Sequence, residues 1–566
     1  MIAFNNFRLA SIVTLVLFIS YPLIFSSCGE NQSSSSSATI NYYFNAVTGK
    51  DANNGTSQNT AWKSFSKINS IKLKPGDSVL LANNVVFEQP LLLENIVGTS
   101  VNKIVFSSYS PTSSTENKRA IISTKNVLNA VSIIDCSFIE ITNLEISAKA
   151  SLTNPTSTSS QMRCGILVKP KRNGTSENIT FDNLIIQDVF YEKPEFTRPS
   201  GEVKSANGTQ NYGWGIRVIN ANENAIIKDV FIKNCLVKNV AHTGIKFTGK
   251  NKNIKNILVE NCEVIETGGP GIQMSGIENG HILNNYVNKS GSDNDSRKWG
   301  RGSGLWTWGS SDILIEKNHF LNANGPGDSA GAHIDYNCEN IILQYNFSAN
   351  NAGGFCEILG NNYNCAYRYN ISVNDGHRVK GIDGAFQEGK TLWLSGYVGD
   401  SKRNGPFNSY IYNNTIVVSK DILSKFAFDK ASSGVLIMNN IFYIQGESAG
   451  VLGDQYNPEK EGVANITNVL FENNLFLKNN WPENIPIKDI APIIGNPEFV
   501  NVGGMNIEDY RPKNTTLIRN KGKEIKQIPN DIIGLTLGLK VTYDILGNPI
   551  INAPDFGAIE ISSNKD

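Results

Sequence analysis

The 566-residue sequence carries no excess of charge of either sign: Lys and Arg together number 51, and so do Asp and Glu. That balance leaves no basic footprint for a nucleic-acid partner. Long helical patterns are scarce, so helices are not expected to build the body of the chain. Cysteine is sparse as well. Eight are present, and the seven that follow Cys28 show neither metal-site nor disulfide-framework spacing. What is abundant is Asn, Ser, Gly, Ile and Val, a composition suited to short strands joined by turns.

One phrase recurs: apolar-x-x-Asn followed by Asn or Cys, a gap, then Gly-apolar-x-apolar-x. It reads Phe231-Ile-Lys-Asn-Cys235 with Gly244-Ile-Lys-Phe-Thr248, and Leu258-Val-Glu-Asn-Cys262 with Gly271-Ile-Gln-Met-Ser275. Further copies lie at Ile282–Asn285, Leu314–Asn318, Leu343–Asn346, Tyr367–Asn370, Ile411–Asn414 and Leu436–Asn440. A period of roughly 22 to 34 residues is the mark of a solenoid whose coils stack into one long core. Cys235 and Cys262 stand where other coils place Asn, and are expected to be buried stacking residues.

Residues 1–28 read as a targeting segment, with Arg8, an apolar run from Leu9 to Phe25, and Ser26-Ser27-Cys28. Small residues just before a Cys resemble a bacterial lipoprotein signal with Cys28 as the lipidated residue. Residues 29–40 then form a polar tether. The expectation is a cell-envelope lipoprotein, held by its anchor at the outer membrane or cell surface, with the periplasmic face as the other location, and acting as a monomer.

Residues 41–80 contain Tyr42-Tyr43-Phe44, Asn54-Gly55-Thr56, Ala61-Trp62-Lys-Ser-Phe65 and Leu73-Lys-Pro-Gly-Asp77. A short amphipathic helix over Ser64–Ile71 is expected to cover the open end of the first coil. Near the C-terminus stand Asn496-Pro-Glu-Phe499, Asp509-Tyr-Arg-Pro512, Ile545-Leu-Gly-Asn548-Pro and Ala553-Pro-Asp-Phe-Gly557-Ala-Ile-Glu560. Opening, repeats and closing segment together resemble secreted proteins of the pectate-lyase-like superfamily. The resemblance implies an all-β fold, a right-handed parallel β-helix over residues 41–480. A closing segment, 481–566, packs on it or caps it. Excursions at 188–212, 288–303 and 381–407 interrupt the period and are expected to wall a cleft.

Alternation along a strand assigns side chains to faces. With Gly215, Gly244, Gly271, Gly304, Gly331, Gly353 and Gly376 taken as equivalent, one outward row is Arg217, Lys246, Gln273, Trp306, His333, Phe355 and Arg378. The next is Ile219, Thr248, Ser275, Trp308, Asp335, Glu357 and Lys380. Asp335 and Glu357 then stack on successive coils, with carboxyl groups roughly 5 Å apart, a spacing that favours a retaining glycosidase. Asp335 is the expected nucleophile and Glu357 the acid/base, in either assignment. Trp306 and Trp308 offer a stacking platform for sugar rings. His333, Asp375, Arg378 and Lys380 are the further substrate-binding candidates. Asp383 and Glu388 are reserve acids, and Asp328 reads as a loop residue.

The leading expectation is therefore a glycoside hydrolase acting on a complex polysaccharide or its oligosaccharides, a role that the resemblance to β-helix glycosidases also implies, with no cofactor. The alternative is a polysaccharide lyase or uronate epimerase on an acidic glycan. There the basic groups Arg217, Lys246, Arg378 and Lys380 supply the chemistry, and Asp335 and Glu357 become Ca²⁺ ligands. A third reading is a glycan-binding surface protein without catalysis.

Overall fold

The repeated phrase folds as a coil with three short strands, and the coils stack into three parallel sheets. The computed structural model describes residues 39–111, 118–125, 127–149, 163–190, 196, 213–292, 294, 302–399, 401–451 and 466–561. Cys28, the targeting segment and the tether up to residue 38 lie outside them. Among the described residues, sheets I and II hold 14 strands each and sheet III holds 12. One coil runs Ile254–Glu260 in sheet I, Glu263–Thr267 in sheet II and Ile272–Ser275 in sheet III, then returns to sheet I at Ile277–Leu283. The strands of this coil pair in parallel and in register with those of the next coil. This is the right-handed parallel β-helix expected.

Each part of the phrase has a physical task. The first residue of the corner between sheets I and II takes a left-handed backbone: Asn234, Asn261, Asn284, Asn413, Asn439 and Asn473 all have φ between 51° and 58°. Asn tolerates that region better than other side-bearing residues. The next residue points inward and stacks. From Asn285 the ladder runs through Asn318, Asn346, Asn370, Asn414, Asn440 and Asn474. Each backbone N–H and each Nδ2 donates to the Oδ1 of the next coil at 2.9–3.1 Å. Cys235 and Cys262 occupy the same slot in earlier coils and are buried. The ladder begins where Cys262 N–H donates to Asn285 Oδ1.

The phrase's Gly opens the sheet III strand where coils touch. A Cβ on Gly271 would sit 2.4 Å from Val287 Cγ1 and 2.6 Å from the Gly304 carbonyl oxygen. Between these fixed points, Ile, Val, Leu and Phe fill one continuous core from Phe44 to Ile487. Each fully buried aliphatic side chain contributes about 1.5–3 kcal/mol.

Both ends are closed. At the front, Phe65 and Ile68 are buried beside Phe44 and Trp62. The segment is a 3₁₀ turn over Phe65–Ser70, shorter than the helix expected. At the rear, Trp481 packs on Phe426, Phe442, Phe471 and Phe476. The closing segment runs along the outside. Tyr510, Ile518, Phe556 and Ile559 pack with Phe347, Ile371 and Val373 of sheet II. Ile528 and Leu535 pack with Tyr369, Tyr410 and Tyr412 at sheet I. The apolar clusters on the outer face of sheet III contain no residue of that segment.

Candidate active site

Sheet III carries the candidate site on its outer face. The register aligns Leu167, Arg217, Lys246, Gln273, Trp306 and His333 on six successive coils. The equivalence of Gly215, Gly244, Gly271, Gly304 and Gly331 therefore holds. It fails at the next coil. Ile334 pairs with Ile358, and Ala330 bridges Gly354, a step of 24 residues rather than 22. Two residues are absorbed around Gly354, whose φ of 141° and contact with the Lys390 carbonyl exclude any side chain.

Three corrections follow. Phe355, expected outward, is buried in the core against Tyr367. Glu357 stands opposite His333, not opposite Asp335. Asp335 continues the row of Trp308, since Thr307 pairs with Ile334. The two acids are diagonal neighbours, with Cα positions roughly 8 Å apart from strand rise and spacing. The direct stacking that favoured retention on spacing alone is not present.

The coil beyond Glu357 is also different. Its sheet III strand is Lys390–Leu394, with Glu357 paired to Trp393. Gly376 does not open a strand. His377 and Val379, expected inward, are exposed. Lys380 is exposed, and its backbone N–H donates to Glu388 Oε2 at 3.1 Å. Arg378 is buried, but its guanidinium donates to the carbonyls of Gly325, Asp328 and Gln387 at 2.8–3.0 Å. It positions the Gly325–Asp328 turn. Asp375 is 1% exposed and ends a second ladder: Asn351 donates to its Oδ1 through N–H and Nδ2, and Ser372 Oγ to its Oδ2. Burial pushes its pKa up to about 7, against those hydrogen bonds. Its role is structural.

Around Glu357 the arrangement is chemically pointed. The carboxyl is 3% exposed, and burial holds its pKa well above the usual carboxylate range. The charge of Asp328 raises it further, as does that of Asp335, while Lys390 and Arg378 oppose them. His333 Nδ1 lies 3.7 Å from Glu357 Oε1 and 3.4 Å from Ser303 Oγ. Burial lowers the His333 pKa to about 4, with Asp328 pulling the other way. Burial thus works against the charged form of both groups, lowering the His333 pKa and raising that of Glu357. Asp335 Oδ1 accepts from the Tyr336 N–H at 2.8 Å.

Asp328 is the acid that sequence reasoning set aside. It lies in the turn between sheets II and III, and its N–H donates to Gln387 Oε1 at 2.8 Å. Glycine-rich Gly325-Pro-Gly-Asp328 reads as an ordinary turn, and only its proximity to Glu357 and His333 gives it another meaning. Lys390 and Trp393 were also missed. Lys390 Nζ sits 3.8 Å from the Trp393 ring centroid. Their signal was the alternation in Thr391-Leu-Trp-Leu394, hidden behind the preceding loop.

Trp306 and Trp308 meet edge to face at 6.2 Å, and Trp306 meets His333 at 5.9 Å. Trp306 is 4% exposed and Trp308 39%. Both line a cleft of about 800 Å³ with Arg217, Lys246, Gln273, Ser275 and Asn337. The 188–212 and 288–303 excursions, including Asp293, Asp295 and Trp299, fall largely outside the described residues. Among the described residues, no group of three or more His, Cys, Asp or Glu side chains is arranged to hold a metal ion.

Comparison with known proteins agrees with this fold. A family model described as a right handed beta helix region matches residues 214–385. The chain is similar to a lacto-N-biosidase of Bifidobacterium longum subsp. longum, 25% identical across 94% of this chain and 37% of that protein. It thus spans little more than a third of that relative's length. Among solved structures, a GH136 lacto-N-biosidase from Eubacterium ramulus aligns with a TM-score of 0.49 and 18% identity, over 81% of this chain and 68% of that one. A complex of XylC with xylose aligns with a TM-score of 0.46 and 11% identity, over 92% and 98%.

Proposed function

We propose that the protein is a glycoside hydrolase acting on oligosaccharides, with Glu357 as the proton donor. The observation that carries this reading is a buried carboxyl with a raised pKa on the sheet III face that carries the Trp platform, with Asp335 and the turn residue Asp328 acting on its charge. An acid of that kind protonates the leaving glycosidic oxygen, and an ionised neighbour attacks the anomeric carbon or activates water. Asp335 is the proposed nucleophile. Asp328 is the third carboxylate, and its charge keeps the proton on Glu357 in the ground state. Neutral His333 offers a hydrogen bond to a substrate hydroxyl, and Trp306 and Trp308 stack on pyranose faces.

The similarity to lacto-N-biosidase supports the same class of reaction and makes a lacto-N-bioside the first substrate to try. The sequence motif around Cys28 supports a lipid anchor and a place at the cell envelope, where such glycans are met. The test is release of sugar from a lacto-N-bioside and from a panel of neutral and acidic oligosaccharides. Proton NMR of the first-formed anomer reads the stereochemical course. Turnover that survives in Asp328→Asn, Asp335→Asn and Glu357→Gln alike would sink the proposal. Products bearing an unsaturated uronate would replace it with a lyase.

A further inference from the structure

The row of outward residues extends well beyond the acids, and its far end is chemically distinct. Arg217 lies five coils from Glu357, about 24 Å along the stack at one strand spacing per coil. It is 5% exposed. Its guanidinium lies over the Trp214 ring, 4.1 Å from the centroid. Among the described residues, its Nε and Nη1 have no hydrogen-bond partner. Burial lowers its pKa to about 10, and among the described residues the single charge effect upon it comes from Cys164. Leaving a buried guanidinium without acceptors is costly, and a protein keeps such a group where something else supplies them.

The same wall holds other unspent polar atoms. Gln273 Oε1 and Trp306 Nε1 are buried without partners among the described residues. Gln273 sits two coils from Arg217, and Trp306 three. Lys246 stands between Arg217 and Gln273 in the same row. All four line the cleft of about 800 Å³. Paired N–H groups of one guanidinium fit the two oxygens of a carboxylate or sulfate better than a single hydroxyl.

From this we infer that the cleft contains a subsite for an anionic sugar substituent, a carboxylate or sulfate ester, held by Arg217 several sugar units from the scissile bond. The inference rests on the glycoside hydrolase reading for its place along a glycan, but the subsite itself is a matter of binding. Gln273 and Trp306 take up hydroxyls of the intervening sugars.

The experiment measures binding by calorimetry to the full chain carrying Glu357→Gln, so that turnover does not intervene. The probes are two matched pairs: tetragalacturonate with its methyl ester, and a sulfated galactose tetrasaccharide with its desulfated form. The expected result is at least tenfold tighter binding of the charged member of one pair, which also tells carboxylate from sulfate. Added Arg217→Gln should reduce that preference below twofold, and Arg217→Lys should keep part of it. If Arg217→Gln does not fold, competition by free glucuronate or inorganic sulfate against the bound charged probe replaces it, and failure to compete counts against the subsite. Equal binding within both pairs, no binding of either charged probe, or a preference that survives Arg217→Gln overturns the inference. None of these outcomes depends on glycosidase activity, whose failure would be seen separately with the unmutated protein.

Discussion

His333 Nδ1 and Glu357 Oε1 lie 3.7 Å apart on adjacent coils, and their pKa values move apart, that of His333 down to about 4 and that of Glu357 upward. Burial penalises the charged form of each. Both shifts favour keeping a proton on the carboxyl over moving it to the imidazole.

Removing the acids tests their roles. Glu357→Gln and Asp335→Asn are each expected to lower kcat by roughly 10²–10⁴-fold. Leaving groups that need no protonation, such as dinitrophenol, should restore much of the Glu357→Gln loss and little of the Asp335→Asn loss. Rescue of Asp335→Asn but not of Glu357→Gln would reverse the assignment, and equal rescue of both would refute it.

The pH profile should carry the neighbours' signatures. Activity falls on the alkaline side as Glu357 gives up its proton. Asp328 raises that pKa and Lys390 lowers it. The residual activity of Asp328→Asn should therefore lose its alkaline limb at lower pH than the wild type, and Lys390→Met at higher pH. Limbs that stay in place in both variants would detach these residues from Glu357.

The two tryptophans should separate by exposure. Trp308→Ala is expected to raise KM with little change in thermal stability, because the ring is partly in solvent. Trp306→Ala should raise KM and also lower the melting temperature, since that ring is buried between Trp308 and His333. A stability loss confined to Trp308→Ala would contradict the placement.

Asp375→Asn should stabilise the protein, and more so as pH rises. The pKa of Asp375 is raised to about 7 in the fold. Between the unfolded value near 3.9 and that figure, the native state binds more protons than the unfolded state, so stability falls as pH rises. An Asn keeps the Oδ1 acceptor for Asn351 and has no charge to bury. Melting temperatures at pH 5 and pH 8 check this; a gain no larger at pH 8 would refute it.

The main ladder should be intolerant. Asn346→Ala leaves the Asn318 N–H without its acceptor, takes one of three acceptors from Asn318 Nδ2, and removes the donor to the Ile315 carbonyl. Each stranded buried group costs about 1–3 kcal/mol. Cys262→Asn should be tolerated, since that slot opens onto the ladder at Asn285. Urea denaturation of the two variants provides the comparison.

The fold was legible because the repeated phrase names its own geometry: left-handed Asn at the corner, stacked Asn within, Gly where coils touch. The face of Trp306, Trp308 and His333 was legible for the same reason. The step from His333 to Glu357 was not. Gly353 and Gly354 both fit the pattern, and the choice between them depends on a backbone conformation that composition does not reveal. Beyond Glu357, Asp375-Gly376 imitates a coil entry, while the strand begins at Lys390 after a loop. Asp328 was missed because its neighbours come from other coils and not from its own segment.

The closing segment sets a direction in time. Each coil pairs with its predecessor and hands its ladder donors to the coil just after it, so the coils can assemble stepwise as the chain emerges. The closing contacts cannot: Tyr410 donates to Asp531, 121 residues later, and Tyr345 donates to the Tyr543 carbonyl, 198 residues later. Until the last hundred residues arrive, the tyrosines of sheet I stand open to solvent and to neighbouring chains. The tail thus serves as the final latch on an otherwise sequential process, and a chain cut short near residue 480 would carry a finished sheet III face beside an adhesive one.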